Sequence, residues 1–309
     1  MNLSKLDVFA QIAASGSLTK AAVTLDTTPS AISRQLASLE KECGGRLFHR
    51  TGRGVALTEL GLRILPRIQS LLRDADALTQ EMKGSAGLLR GDVRLGLLAA
   101  TAASLLPPLL AQLKAQHPGV MLRVLEGSSG QIDEWVASGH VDIALVARQG
   151  ASFGPGEYPL ATSLSCLVGP ANDPLTQREH IDFTELHQVP LILAGLPNGM
   201  RKGLEQVARQ MDVDLVVAME ADSLLVQLAM VSSGCGYAIL PAHAVNDGLK
   251  AGALTAALIV NPSFKRTVTL TATTQKPMSA AAREVFRLVR EIAENLTDRS
   301  NGVWTPVEA

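Results

Sequence analysis

From Asp92 to the carboxy terminus, short apolar runs alternate with stretches of helical periodicity, and this alternation constrains the chain more than any other feature. The runs are Val93–Leu98, Val120–Leu125, Val141–Ala147, Ser163–Val168, Pro190–Leu193, Leu215–Met219, Tyr237–Leu240 and Val268–Thr273. Helical spacing fills Ala102–Gln116, Gly130–Ser138, Arg201–Met211, Ser223–Ser232 and Ala280–Asn295. Short strands that are apolar throughout suit sheets covered on both faces, so the pattern predicts α/β lobes. The uncharged run Leu95–Leu113 is long enough to raise the question of a membrane span. It contains Thr101, Ser104, Gln112 and Pro107-Pro108, and reads instead as a buried strand followed by a helix. The first ten residues carry Lys5 and Asp7 and lack the apolar core of a signal peptide, so the expected location is the cytoplasm, away from any membrane.

The amino-terminal part obeys different rules. Leu3, Leu6, Phe9, Ala10 and Ala13 share one helical face, which Ser15-Gly16-Ser17 ends. A short second helix, Leu18–Leu25, turns Ala21, Ala22 and Leu25 inward. Thr28 is a natural N-cap and Pro29 suits the first helical position. The third helix runs to about Glu42, burying Ile32, Leu36 and Leu39, with Ser30, Ser33, Arg34 and Gln35 opposite. Two short helices joined by a tight turn, the second polar at its amino end, form a helix-turn-helix pattern. Leu47-Phe48 and Val55–Leu57 then frame a glycine-rich tip carrying Arg50 and Arg53, a wing suited to phosphate or minor-groove contact. A helical protein-interaction module with a charged hairpin would share the pattern.

Charge is compatible with the first reading and equally with ordinary fluctuation along the chain. The 28 basic and 29 acidic side chains nearly cancel, which excludes a uniformly basic nucleic-acid coat. Residues 1–67, however, hold nine basic side chains against five acidic ones, a balance of +4 that leaves −5 for the rest. A positive module can approach phosphates while the remainder stays soluble. The aromatic content of 3% also fits a reader of duplex groove edges better than a protein that stacks on bared bases.

Beyond the wing, Thr58 caps a long helix whose apolar stripe runs from Leu62 through Ile68, Leu72 and Leu78 to Met82. A lone helix cannot hide so much surface, so it should pair with a twin or pack on its own carboxy-terminal domain. Pro66 inside it removes one backbone hydrogen bond, and Gly84–Gly91 looks like a hinge.

The stretch GSLTKAAVTLDTTPSAISRQLASLEKECGGRLFHRTGRGVALTELG, Gly16 to Gly61, closely resembles the DNA-binding signature of LysR-type transcriptional regulators. The resemblance implies an α/β chain with an amino-terminal winged helix-turn-helix at about 1–58, the helix-turn-helix itself at about 18–37. A linker and dimerisation helix with its hinge would span 59–90, and a two-lobed effector domain like periplasmic solute-binding proteins would span 91–309. One lobe would comprise about 91–161 and 267–297, the other about 162–266. Implied DNA contacts are Thr28, Pro29, Ser30, Ser33, Arg34, Arg50 and Arg53. Implied partners are an operator or promoter duplex, a second copy in a homodimer, a homotetramer, and RNA polymerase if the protein activates. Two positions depart from the family's pattern. Many members have Gln-Pro where this chain has Pro29-Ser30, and Cys43 replaces a usual leucine. Cys43 is expected as a small buried hydrophobe rather than a redox switch. The wording TAAS and SGCGYAILP is most similar to the branch containing nitrogen-assimilation control regulators, some of which act without a bound effector.

An effector would sit between lobes, beyond strand ends and near helix amino termini. Four segments qualify: Ala100–Ser104, Gly127–Gly130, Asn198–Arg201 and Ala221–Ser223. They nominate Thr101, Ala102, Ser104, Ser128, Ser129, Asn198, Arg201 and Asp222 for a small anionic metabolite, with plain helix capping as the competing role for each. Enzymes and secreted solute-binding proteins are the other classes that α/β lobes serve. The six histidines and three widely spaced cysteines form no metal spacing and no disulfide framework. Cys166 and Cys235 flank apolar strands and are expected to be structural. Gly127–Gly130 is one residue short of a nucleophile elbow, and no phosphate-binding glycine motif occurs, so neither catalysis nor a cofactor is expected.

Overall fold

The structure, a computed structural model, describes residues 2–52, 54–82, 89–149, 153–299 and 305. The chain divides into two compact units, one formed largely by Met1–Gly91, the other by Asp92–Ala137 with Val141–Ala309.

The first unit contains α1 (Leu3–Ser15), α2 (Leu18–Thr24), α3 (Pro29–Cys43), β1 (Phe48–Thr51), β2 (Gly54–Leu57) and α4 (Glu59–Met82). Local chemistry sets the first three helices. The side chains of Asn2, Ser17 and Thr28 accept the N–H groups of Ser4, Lys20 and Ala31. Gly16 and Gly44, both in the left-handed region, stop α1 and α3. Leu6, Phe9, Ile12, Ala22, Ile32 and Leu39 close the core. The buried face of α1 differs from expectation: Leu3 is exposed, and Val8 and Ile12 are buried in its stead.

Two clamps fix the hairpin of β1 and β2 to these helices. One carboxylate oxygen of Glu40 accepts the N–H groups of Leu47 (2.8 Å) and Phe48 (3.4 Å). The Val55 N–H donates to the Gly16 carbonyl at 3.0 Å. Beside it Gly54 has φ +151°, and a Cβ there would lie 2.3 Å from that same carbonyl oxygen, so only glycine fits. Along α4, Leu60, Ile64, Leu65, Ile68 and Leu72 join the core of this unit. Leu62, Leu71 and Leu78 face outward and remain exposed.

Cys43 requires a correction. It is exposed, because it closes α3 beyond the buried positions Ile32, Leu36 and Leu39. Of the expected hinge, residues 84–88 lie outside the described residues, and from Arg90 the chain is already strand.

The second unit runs β3 (Arg90–Leu97), α5 (Ala99–Gln116), β4 (Gly119–Glu126), α6 (Ser129–Ala137), β5 (Ile143–Arg148), β6 (Tyr158–Pro170), β7 (His180–Asp182) and β8 (Pro190–Leu193). It continues with α7 (Gly199–Gln210), β9 (Val216–Glu220), α8 (Leu224–Ser232), β10 (Tyr237–Pro241), α9 (Asn246–Lys250), β11 (Leu254–Val260), β12 (Lys265–Ala272) and α10 (Ala280–Arg299). The strands follow the order β4-β3-β5-β12-β6-β10-β8-β9, with β11 pairing β6 and β7. The uncut β6 serves two lobes. Its first half, Tyr158–Leu164, pairs β12, and its second half, Ser165–Pro170, pairs β10 and β11. The chain crosses back between β11 and β12. Leu95, Leu109, Leu145, Leu270, Val285 and Leu288 form the core of one lobe, and Leu167, Phe183, Leu191, Leu204 and Ile259 that of the other. Each such burial is worth about 1.5–3 kcal/mol.

Asp142, almost fully buried, ties three segments of the first lobe together. Its Oδ1 lies 2.9 Å from Lys276 Nζ, its Oδ2 accepts the Arg94 N–H at 2.7 Å, and its carbonyl accepts the Thr273 N–H at 3.0 Å. Two strands, β7 and β11, have no counterpart in the sequence-based expectation. β11 reads Leu-Thr-Ala-Ala-Leu-Ile-Val, apolar but with alanines that are weak strand formers, and it pairs with β6 and β7.

Candidate functional site

On the first unit, Thr28, Pro29, Ser30, Ser33 and Arg34 are all exposed along one face of α3. The Thr28 hydroxyl caps the helix and lies 3.0 Å from Ser30 Oγ. Arg34 has no hydrogen bond or ion pair with any described residue. Gln35 is set apart: its side chain is half-buried and its Oε1 accepts the Ser4 hydroxyl at 3.3 Å. Arg50 is exposed on β1 opposite Val55, and Arg53 lies outside the described residues. Sequence reasoning missed Glu40, whose carboxylate anchors the wing strand to α3. Its signal was its place four residues after buried Leu36, on the inner flank of the helix end.

The second unit holds a cleft of about 650 Å³ into which the amino ends of α5, α6, α7 and α8 converge. Thr101, Ser128, Asn198, Arg201 and Asp222 line it. Ala102, Ser104 and Ser129 do not. The reason is that α5 begins at Ala99, three residues before the position expected, which rotates Ala102 and Ser104 out of the mouth. Ser104 Oγ donates to the Thr101 carbonyl, and Ser129 Oγ meets the backbone of Ala147.

Capping accounts for most of the nominated groups. Ser128 Oγ accepts the Gln131 N–H while Gln131 Oε1 accepts the Ser128 N–H, a reciprocal box at α6. Asn198 Oδ1 accepts the N–H groups of Met200 and Arg201 at the start of α7. Ser223 caps α8, and Asp222 accepts the Gly195 N–H. Only at α5, preceded by Leu98, does the first turn have no side-chain acceptor. It is the one of the four left open to a ligand.

The cations divide in the same way. Arg201 is engaged: its Nε donates to Glu205 at 2.6 Å and its Nη1 to the Ala194 carbonyl and to Glu220. Arg266, at the start of β12, is the cleft cation that the sequence did not single out. Its Nη2 donates to the Ala147 carbonyl at 3.0 Å, while its Nε is out of solvent with no hydrogen-bond partner. Burial, and then neighbouring Arg148, push it down to about 10. His243, also lining the cleft, sets its Nδ1 2.9 Å from Ser163 Oγ.

Burial first, and Arg266 second, push the His243 imidazole down to about 3, so it is neutral at physiological pH. The unfolded chain binds this proton below its ordinary value near 6.5 and the folded chain only near 3. Stability therefore falls as pH drops between those two values. The loss from this one group should reach about 2 kcal/mol at pH 5. Melting curves of the wild type and His243→Gln across pH 4–8 check this, since the variant should lack that share of the slope. An identical slope would refute it.

Thiol chemistry has little support here. Burial pushes Cys166 up to about 12 and its Sγ contacts the Leu240 carbonyl, whereas reactive thiols are low-pKa and accessible. Cys235, expected to be structural, is exposed, because it lies in the turn after α8 rather than in β10. Among the described residues no group of three or more His, Cys, Asp or Glu is placed to hold a metal ion. No described helix is long and apolar enough to cross a membrane.

Comparison with known proteins agrees with both halves of this geometry. Residues 3–62 match the family "bacterial regulatory helix-turn-helix protein, lysR family", and residues 86–294 match "LysR substrate binding domain". The nitrogen assimilation regulatory protein nac of Klebsiella aerogenes is 29% identical over 97% of this chain and 96% of its own. A probable hydrogen peroxide-inducible genes activator of Mycobacterium leprae is 28% identical over 94% of each chain. Full-length CbnR complexed with its target DNA has the same fold, with a TM-score of 0.67 at 19% identity over 96% of this chain and 99% of that one. The chain belongs to the LysR family, and it is accordingly a DNA-binding transcriptional regulator rather than an enzyme.

Proposed function

We propose that the protein reads an operator dyad as a homodimer paired through α4, assembles further into a homotetramer, and changes its output when a small anionic metabolite enters the cleft. The observation that carries the effector reading is the cleft itself, roomy enough at about 650 Å³ for a small molecule and open at the start of α5. Leu71 and Leu78, seven residues apart on one face of α4 and left exposed, supply an apolar seam for pairing. Thr28, Pro29, Ser30, Ser33 and Arg34 would contact the major groove, with Arg50 and Arg53 on the backbone or minor groove. The relative whose structure includes its target DNA supports this placement by analogy of fold. Work of this kind belongs in the cytoplasm, with RNA polymerase as a further partner if the protein activates.

A second reading, output set without any effector, draws on the caps that already satisfy three of the four helix starts. Footprinting the full chain on the DNA upstream of its own gene tests the operator reading. A protected dyad is expected, bound about a hundredfold or more less tightly at 200 mM than at 50 mM salt. Protection of a lone half-site would overturn the paired arrangement.

A further inference from the structure

Arg266 stands where the second lobe hands the chain back to the first, one residue into β12 and across from Ser163 of β6. Its surroundings offer no counter-charge. No carboxylate among the described residues forms an ion pair with it, and its Nε is buried without an acceptor. The nearby cation, Arg148, is by contrast already matched: Asp133 grips its two terminal nitrogens at 2.7 and 2.8 Å, and Glu157 takes its Nε at 2.9 Å. Arg201, the other cleft guanidinium, is matched by Glu205 and Glu220. A half-buried cation with a donor turned away from water and no anion beside it is costly in a folded chain. An unmatched cation on a cleft wall marks a candidate site for a ligand's charge.

Resting on the reading of the cleft as an effector site, we propose that Arg266 is the residue that receives the effector's charge, and that the effector is a small carboxylate or comparable oxyanion. The guanidinium offers planar N–H donors suited to such a group. The uncapped first turn of α5, on the wall of the same cleft, adds backbone N–H donors for an anionic ligand. Arg201 then shapes the wall instead of binding the charge.

The test uses the full-length protein at constant ionic strength. The probes are acetate, benzoate, succinate and sulfate, with acetamide, benzamide and succinamide as uncharged controls. Trp135 packs against Gly127 of the cleft wall, so tryptophan fluorescence reports occupancy alongside the melting temperature. The wild type should respond saturably to at least one anion and not to its amide. Arg266→Gln should weaken that response about tenfold or more, and Arg266→Lys should recover part of it. Without ligand, Arg266→Gln should melt at or above the wild-type temperature. If Arg266→Gln binds the anion as well as the wild type, or melts several degrees lower, this inference fails while the effector cleft stands. Equal binding of anion and amide overturns it as well. If the wild type answers no probe at all, the effector reading fails with it.

Discussion

Asp142→Ala is expected to destabilise the second unit by about 3–5 kcal/mol, lowering its melting temperature by roughly 10 °C. The argument is one of buried charge. Lys276 is nearly as buried as Asp142, and the substitution strips it of the carboxylate 2.9 Å away. It also deprives the Arg94 N–H, within β3, of its 2.7 Å acceptor. Asp142→Asn keeps a polar acceptor for that N–H but not the charge, and should fall between wild type and alanine. Replacing both ion-pair partners by apolar residues of similar size should recover much of the loss, because the cost lies in breaking the buried pair. Calorimetry of all four proteins measures the series. An alanine variant melting within a degree of wild type would show that the cluster contributes nothing.

Arg34→Ala should weaken operator binding by about 1–3 kcal/mol, roughly ten- to a hundredfold, and relax sequence choice at the base pair it faces. Arg34 is exposed with its guanidinium uncommitted, so its removal leaves the fold intact and the change is read in binding alone. Arg50→Ala supplies the contrast. As a proposed backbone contact, it should weaken all sequences alike and reduce the salt slope by about one. Quantitative footprints against operator and scrambled duplexes separate the two effects. Equal losses on both duplexes for Arg34→Ala would remove it from the base-reading set.

How much of this was legible in the chain depended on how local each cause is. Ser17, Thr28, Pro29 and Gly44 act within a turn of themselves, and the first three helices fell where those residues put them. The start of α5 was placed late because Leu98-Ala99-Ala100 carries no capping side chain. The extra length of β6 was hidden by Pro159 and Thr162, which are strand only because β12 lies alongside. In the cleft, the choice between effector donor and helix cap was open in the sequence, and most of the loop residues close their own helices. Whether a cation is free is the least local property of all. Arg201 is matched partly by Glu205, one turn along its own helix, and partly by Glu220, which only folding brings to it, while Arg266, in the run Asn261–Thr267, resembles loop surface.

The glycine contact between Gly54 and Gly16 has a consequence for the DNA. With the hairpin bolted at Gly16 on one side and at Glu40 on the other, its base has little freedom to swing relative to α3. The proposed reading head therefore works as a ruler with a set span, and any adjustment to operators of different spacing must come from outside it. Natural sites for this protein should vary in the gap between half-sites and keep the length of each half-site constant.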